Sequence, residues 1–94
     1  MNAFEILKTH EEKIKNNYKV KKIGIFGSLA RGDENKKSDV DILVEFKKGY
    51  KTFDNFMDLK FFLEDSFGCS VDLVTINALK PQLKNNILQE VMYA

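Results

Sequence analysis

The chain has 94 residues, enough for one domain with one core, so residues 1–94 are expected to form a single unit. Hydrophobic residues at 44% and charged residues at 31% suit an ordinary globular fold, and no apolar run reaches membrane-spanning length. A net charge of +1 gives no global pull toward nucleic acid, lone Cys69 excludes an internal disulfide and a cysteine zinc site, and the mixed start is unlike a signal peptide; a cytoplasmic protein is expected.

Asn2 can cap a helix from about Ala3 to Asn16, on which Phe4, Leu7, Ile14 and Tyr18 recur near helical spacing and would face a sheet. His10 falls among polar residues and reads as a surface side chain, while Lys13, Lys15, Lys19, Lys21 and Lys22 read as the wet side of this helix and its exit. Val20 to Phe26 follows as a strand, in which Gly24 is a cost unless another backbone or a ligand comes close. A turn at Gly27-Ser28 and a charged loop, Gly32 to Ser38, lead to a second strand, Asp39 to Phe46.

Thr52 can cap a helix from Phe53 to Phe67, and Gly68 can stop it. Its apolar residues spread over roughly 200° of the surface, twice the stripe that one buried face needs. It should therefore pack on the sheet and also on something else, either the C-terminal helix or another protein. Asp54 and Asp58 fall on its wet side. Cys69 reads as a small buried residue beside the third strand, Ser70 to Thr75, which sets Val71 and Leu73 on one face and Asp72 on the other. Pro81 suits the first position of a last helix striped by Leu83, Ile87, Leu88, Val91 and Met92. This order of elements describes an α+β fold, an α/β sandwich with helices covering a small mixed sheet.

Two stretches carry chemistry. Asp39 and Asp41 open a strand although Asp is depleted in strands, and at i, i+2 both carboxylates leave the same face. Such a pair is a solvated strand end, or it holds a hard cation such as Mg²⁺. Gly27-Ser28 is a tight turn, or, with Leu29-Ala30-Arg31 beginning a helical turn, a phosphate cradle of backbone N–H groups, the Ser28 hydroxyl and the Arg31 fork. It is not the P-loop, which needs Gly-x-x-x-x-Gly-Lys-Ser/Thr. Together, a phosphate-holding turn and a metal-holding pair on neighbouring strands describe a site for a nucleoside triphosphate. Asp72 would join the pair if its strand lies beside theirs.

Gly27-Ser28, ten further residues and Asp39-Val40-Asp41 form a Gly-Ser-x10-Asp-x-Asp signature, on which the chain resembles the DNA polymerase beta-like nucleotidyltransferase superfamily. The longer run Phe26-Gly27-Ser28-Leu29-Ala30-Arg31-Gly32, with Ser38 before the Asp pair, is similar to the minimal nucleotidyltransferase branch, the MntA-type antitoxins, over nearly the whole chain. The resemblance implies the nucleotidyltransferase fold and two Mg²⁺ ions on Asp39, Asp41 and Asp72, the last at the family's third acidic position. It implies ATP as substrate, with its phosphates on Gly27, Ser28 and Arg31. The implied partner is a HEPN-domain toxin, a ribonuclease silenced by AMP on a tyrosine hydroxyl. Neither a membrane nor strong nucleic-acid binding is expected. Two alternatives stay open: an antitoxin that neutralises by covering the toxin without catalysis, and a nucleotidyltransferase acting on a small molecule or an RNA end.

Overall fold

The computed structural model describes residues 3–27 and 40–94. In chain order the elements are α1 (Ala3–Thr9), α2 (Glu11–Asn17), β1 (Val20–Phe26), β2 (Val40–Phe46), α3 (Phe53–Phe67), β3 (Val71–Thr75), a 3-10 turn (Ile76–Ala78), α4 (Pro81–Glu90) and β4 (Met92–Tyr93). The four strands make one mixed sheet in the order β3-β2-β1-β4. β1 is antiparallel to both β2 and β4, and β2 is parallel to β3.

One face of this sheet holds the core. Ile23 and Ile25 of β1, Val40, Ile42, Val44 and Phe46 of β2, and Val71 and Leu73 of β3 pack under Leu7 and Ile14 of the N-terminal helices and Leu59, Leu63 and Phe67 of α3. α1 and α2 cover β1, and α3 covers β3. The ends of α3 are set as the sequence predicts. Thr52 Oγ1 accepts the Asn55 N–H at 3.2 Å, and Gly68 closes the helix in the left-handed region at φ +70.

Three expectations need correction. The first helix is interrupted at His10, whose ring Nδ1–H donates to the Ile6 carbonyl at 2.9 Å and which meets Phe62 edge-on at 5.5 Å. His10 is therefore half-buried against α3 rather than a surface side chain. Second, the wide apolar arc of α3 finds its extra partner in the N-terminal helical pair, not in the C-terminal helix. Phe62 meets His10 and Tyr18, with the Lys13 ammonium 5.0 Å above its ring. Phe53 and Phe61 remain exposed. Third, the last apolar stripe does not stay helical: α4 ends at Glu90, and Met92 and Tyr93 become β4. The open edge of β1 offers backbone partners there, and Ala94 N–H donates to the Ile23 carbonyl at 2.9 Å. Cys69 is half-buried at the margin of the core.

Gly24 makes this last arrangement possible. A Cβ there would lie 2.7 Å from both the Met92 carbonyl oxygen and Val91 Cγ2, too close for any side chain. Of the two reasons for glycine in a strand, the close approach of another backbone is the one realised. Val91 therefore sits over the sheet face away from the core. Leu43 lies on that face too and is fully buried, opposite Gly24 in the β1–β2 register. No helix among the described residues is long and apolar enough to cross a membrane.

Candidate active site

Asp41 stands between Val40 and Ile42, both buried in the core, so the pleat directs its carboxylate to the opposite face of the sheet. Its register partner in β3 is Asp72. Because β2 and β3 are parallel neighbours, these two residues lie about 4.8 Å apart along the hydrogen-bonding direction and share a face. The expected juxtaposition of Asp72 with the Asp-x-Asp strand is thus present in the sheet. Asp41 is half-buried and Asp72 is exposed.

The entry to β3 is tied down on both sides, which holds Asp72 in place. Val40 N–H donates to the Ser70 carbonyl at 3.1 Å, and Val71 N–H donates to Glu64 Oε2 of α3 at 3.1 Å. The second of these is a charge-assisted bond from a helix carboxylate to the strand's first residue.

On the other side of β2, Asp41 pairs with Phe26, the last residue of β1. Gly27 then turns the chain with φ +78, a conformation natural to glycine and strained for other residues. A Cβ at Gly27 would overlap Asp41 Oδ2 and lie 3.0 Å from Asp41 Cγ. Glycine is required here twice, by dihedral and by contact, and the contact brings the turn onto the carboxylate. The Gly27 N–H donates to Glu90 Oε1 at 2.9 Å. That backbone group, offered by the sequence as part of a phosphate cradle, is engaged by the chain's own carboxylate. No local signal pointed to Glu90, because it stands 63 residues from Gly27 and joins it only once β4 has docked.

The sheet thus brings Gly27, Asp41 and Asp72 to one end of β1–β2–β3. Asp39, Ser28 and Arg31, the other three expected site residues, lie outside the described residues, as does the loop from Gly32 to Ser38. Among the described residues no three His, Cys, Asp or Glu side chains group as a metal site. The donors themselves fit a hard divalent cation: Asp41 and Asp72 are carboxylates on one face, and the chemistry of such oxygens suits Mg²⁺ better than softer metals.

The family described as a nucleotidyltransferase domain matches residues 7–94. Among curated relatives, protein adenylyltransferase MntA of Thermococcus cleftensis is 39% identical over 88 residues, covering 94% of this chain and 88% of its own. A Methanocaldococcus jannaschii protein, MJ0128, provisionally named a protein adenylyltransferase, is 46% identical over 92 residues, covering 95% and 91%. Among solved structures, a provisionally assigned minimal nucleotidyltransferase superposes with a TM-score of 0.79 at 33% identity, covering 95% of this chain and 93% of that one. A toxin-antitoxin with AMP-PNP gives 0.72 at 24% identity, covering 99% and 72%. A Shewanella oneidensis structure, a tri-AMPylated HEPN toxin in complex with MNT antitoxin, gives 0.63 at 22%, covering 98% and 67%. The last two likenesses speak for the fold alone.

Proposed function

We propose that this chain, which belongs to the nucleotidyltransferase domain family, moves AMP from ATP to a hydroxyl of a partner protein and thereby acts as an antitoxin. The partner we infer is a HEPN-type ribonuclease toxin, met in the cytoplasm, and one domain spanning 1–94 holds the whole site. The observation that carries this reading is the pairing of Asp41 with Asp72 across β2 and β3, with the Gly27 turn packed against Asp41. The name of the T. cleftensis relative, protein adenylyltransferase MntA, supports it from outside.

In this mechanism Ser28 and Arg31, entered through the Gly27 turn, hold the β- and γ-phosphates, so that the α-phosphorus lies in line with the acceptor oxygen. Asp39, Asp41 and Asp72 would hold two Mg²⁺ ions, which when bound supply a more acidic acceptor hydroxyl and neutralise charge on the phosphates. Asp72, exposed at the rim, takes the proton from the acceptor hydroxyl. The acceptor oxygen forms its bond to the α-phosphorus as the bond from that phosphorus to the bridging oxygen breaks, and pyrophosphate leaves with the electron pair. Asp41, fixed by its strand and by Gly27, acts through orientation, and electrostatics of this kind supply much of the rate in such transfers.

The test is to incubate the pure protein with Mg²⁺, α-labelled ATP and the product of the neighbouring gene, and to follow label into protein. Label on the partner, absent with Asp41→Asn or Asp72→Asn, supports AMP transfer. A triple variant, Asp39, Asp41 and Asp72 each to Ala, that still neutralises the toxin fully would point instead to an antitoxin that works by covering. Label on RNA or on a small molecule alone would move the acceptor away from protein.

A further inference from the structure

Gly24 pairs with Tyr93 and Ile25 with Met92, so the same antiparallel register carried two residues further sets Glu90 opposite Gly27. The backbone ladder does not extend that far, because Glu90 is still the last residue of α4. Its side chain supplies the missing acceptor, and Oε1 takes the Gly27 N–H at 2.9 Å. We propose that Glu90 is a positioning residue for nucleotidyl transfer: by holding the Gly27 N–H it fixes the phosphate turn and, through the packing of Gly27 on Asp41, the direction of the Asp41 carboxylate. This rests on the AMP-transfer reading above.

Glycine has the widest backbone freedom of any residue, so Gly27, at φ +78, gains a fixed orientation from a bond made to it by another part of the chain. A bond from a backbone N–H to a carboxylate is charge-assisted and stronger than its neutral counterpart. The peptide it orients carries the Gly27 Cα that lies against the Asp41 carboxylate, so a rotation of that peptide moves both halves of the site at once. Glu90 touches neither nucleotide nor acceptor in this role. α4 stops at Glu90, and Val91 and Met92 then turn onto Gly24.

The experiment uses the full chain with Glu90→Ala and Glu90→Gln. AMP transfer to the HEPN-domain partner, the affinity for Mg-AMP-PNP, the melting temperature and hydrogen exchange at the ¹⁵N-labelled Gly27 amide are measured for each. Glu90→Ala is expected to lower kcat about 10- to 100-fold, the scale of a small misplacement of reacting groups, with KM for ATP within about twofold. Glu90→Gln is expected to recover most of that loss, because the amide oxygen accepts the same bond. The Gly27 amide should exchange faster in Glu90→Ala and stay protected in Glu90→Gln. A Glu90→Ala protein at wild-type kcat overturns the proposal, as does a Glu90→Gln protein with the full loss. Tighter AMP-PNP binding by both variants also overturns it, since the carboxylate would then be competing with phosphate for the turn. If the wild-type chain transfers no AMP at all, the function above fails, and Glu90 is decided separately: unchanged Gly27 exchange in Glu90→Ala refutes its role.

Discussion

Replacing Gly27 by Ala tests the contact on which the site turns. The new methyl must sit at φ +78, which costs an L-residue about 1–2 kcal/mol. It must also displace the Asp41 carboxylate, whose Oδ2 occupies the methyl's place, and pushing that side chain off its rotamer costs roughly 0.5–1.5 kcal/mol more. The expected loss is therefore about 1.5–3.5 kcal/mol, and in a chain of this size each kcal/mol lowers Tm by about 4–8 °C. The dihedral cost and the collision separate in a double-mutant cycle with Asp41→Ala, measured by urea denaturation. Removing the carboxylate relieves the collision and leaves the dihedral cost, so the two substitutions should couple by about 1 kcal/mol. Strict additivity, or a Gly27→Ala protein within about 0.5 kcal/mol of wild type, would refute the reasoning, because the turn would then not be packed on Asp41.

Other consequences can be checked with equal directness. Gly24→Val should expel β4, since its Cβ alone would come within 2.7 Å of the Met92 carbonyl; the Ala94 amide, bonded to Ile23, should lose its protection from hydrogen exchange, and retained protection would contradict the account. Thr52→Ala removes the acceptor for the Asn55 N–H and should cost about 1 kcal/mol by denaturant titration, as for other N-caps. Leu59→Ala, at a site with no solvent exposure between α3 and the sheet, should cost about 2–5 kcal/mol. Burial, and secondarily the Asp58 charge, raises the Tyr18 phenol above its ordinary value of 10.0. The unfolded phenol then ionises first. The stability this group contributes is whole below that ordinary value and is lost as pH climbs through the raised one. Tyr18→Phe should show a shallower alkaline decline than wild type, and identical declines would refute the link.

Much of this protein is legible along the chain because its causes are local. Alternating apolar residues mark β1 and β2, Thr52 and Gly68 bracket α3, and Pro81 opens α4, each through its own dihedral or capping preference. The period of two also settles that Asp41 and Asp72 leave the faces opposite Ile42 and Leu73, whatever the strand order. What lies opposite each residue is not a local matter. The parallel docking of β3 on β2, which makes Asp72 the partner of Asp41, follows from the crossover through α3, which covers β3. The choice of the N-terminal helices as the second surface against α3 follows from how Phe62 meets His10 and Tyr18.

The C-terminal end shows the division most clearly. Read alone, Val91 and Met92 continue a helical stripe, and their spacing is consistent with it. Only the assembled sheet offers them an open edge at β1, with a gap at Gly24 into which their backbone can close. The hydrogen bonds gained there outweigh one more turn of a helix that has no buried residue to hold it. The chain's own pattern determined which residues carry charge, glycine and turn. The tertiary structure decided which of them meet, because strand order, register and the contact between Gly27 and Glu90 join residues far apart in sequence, and their energy exists only once the core has formed.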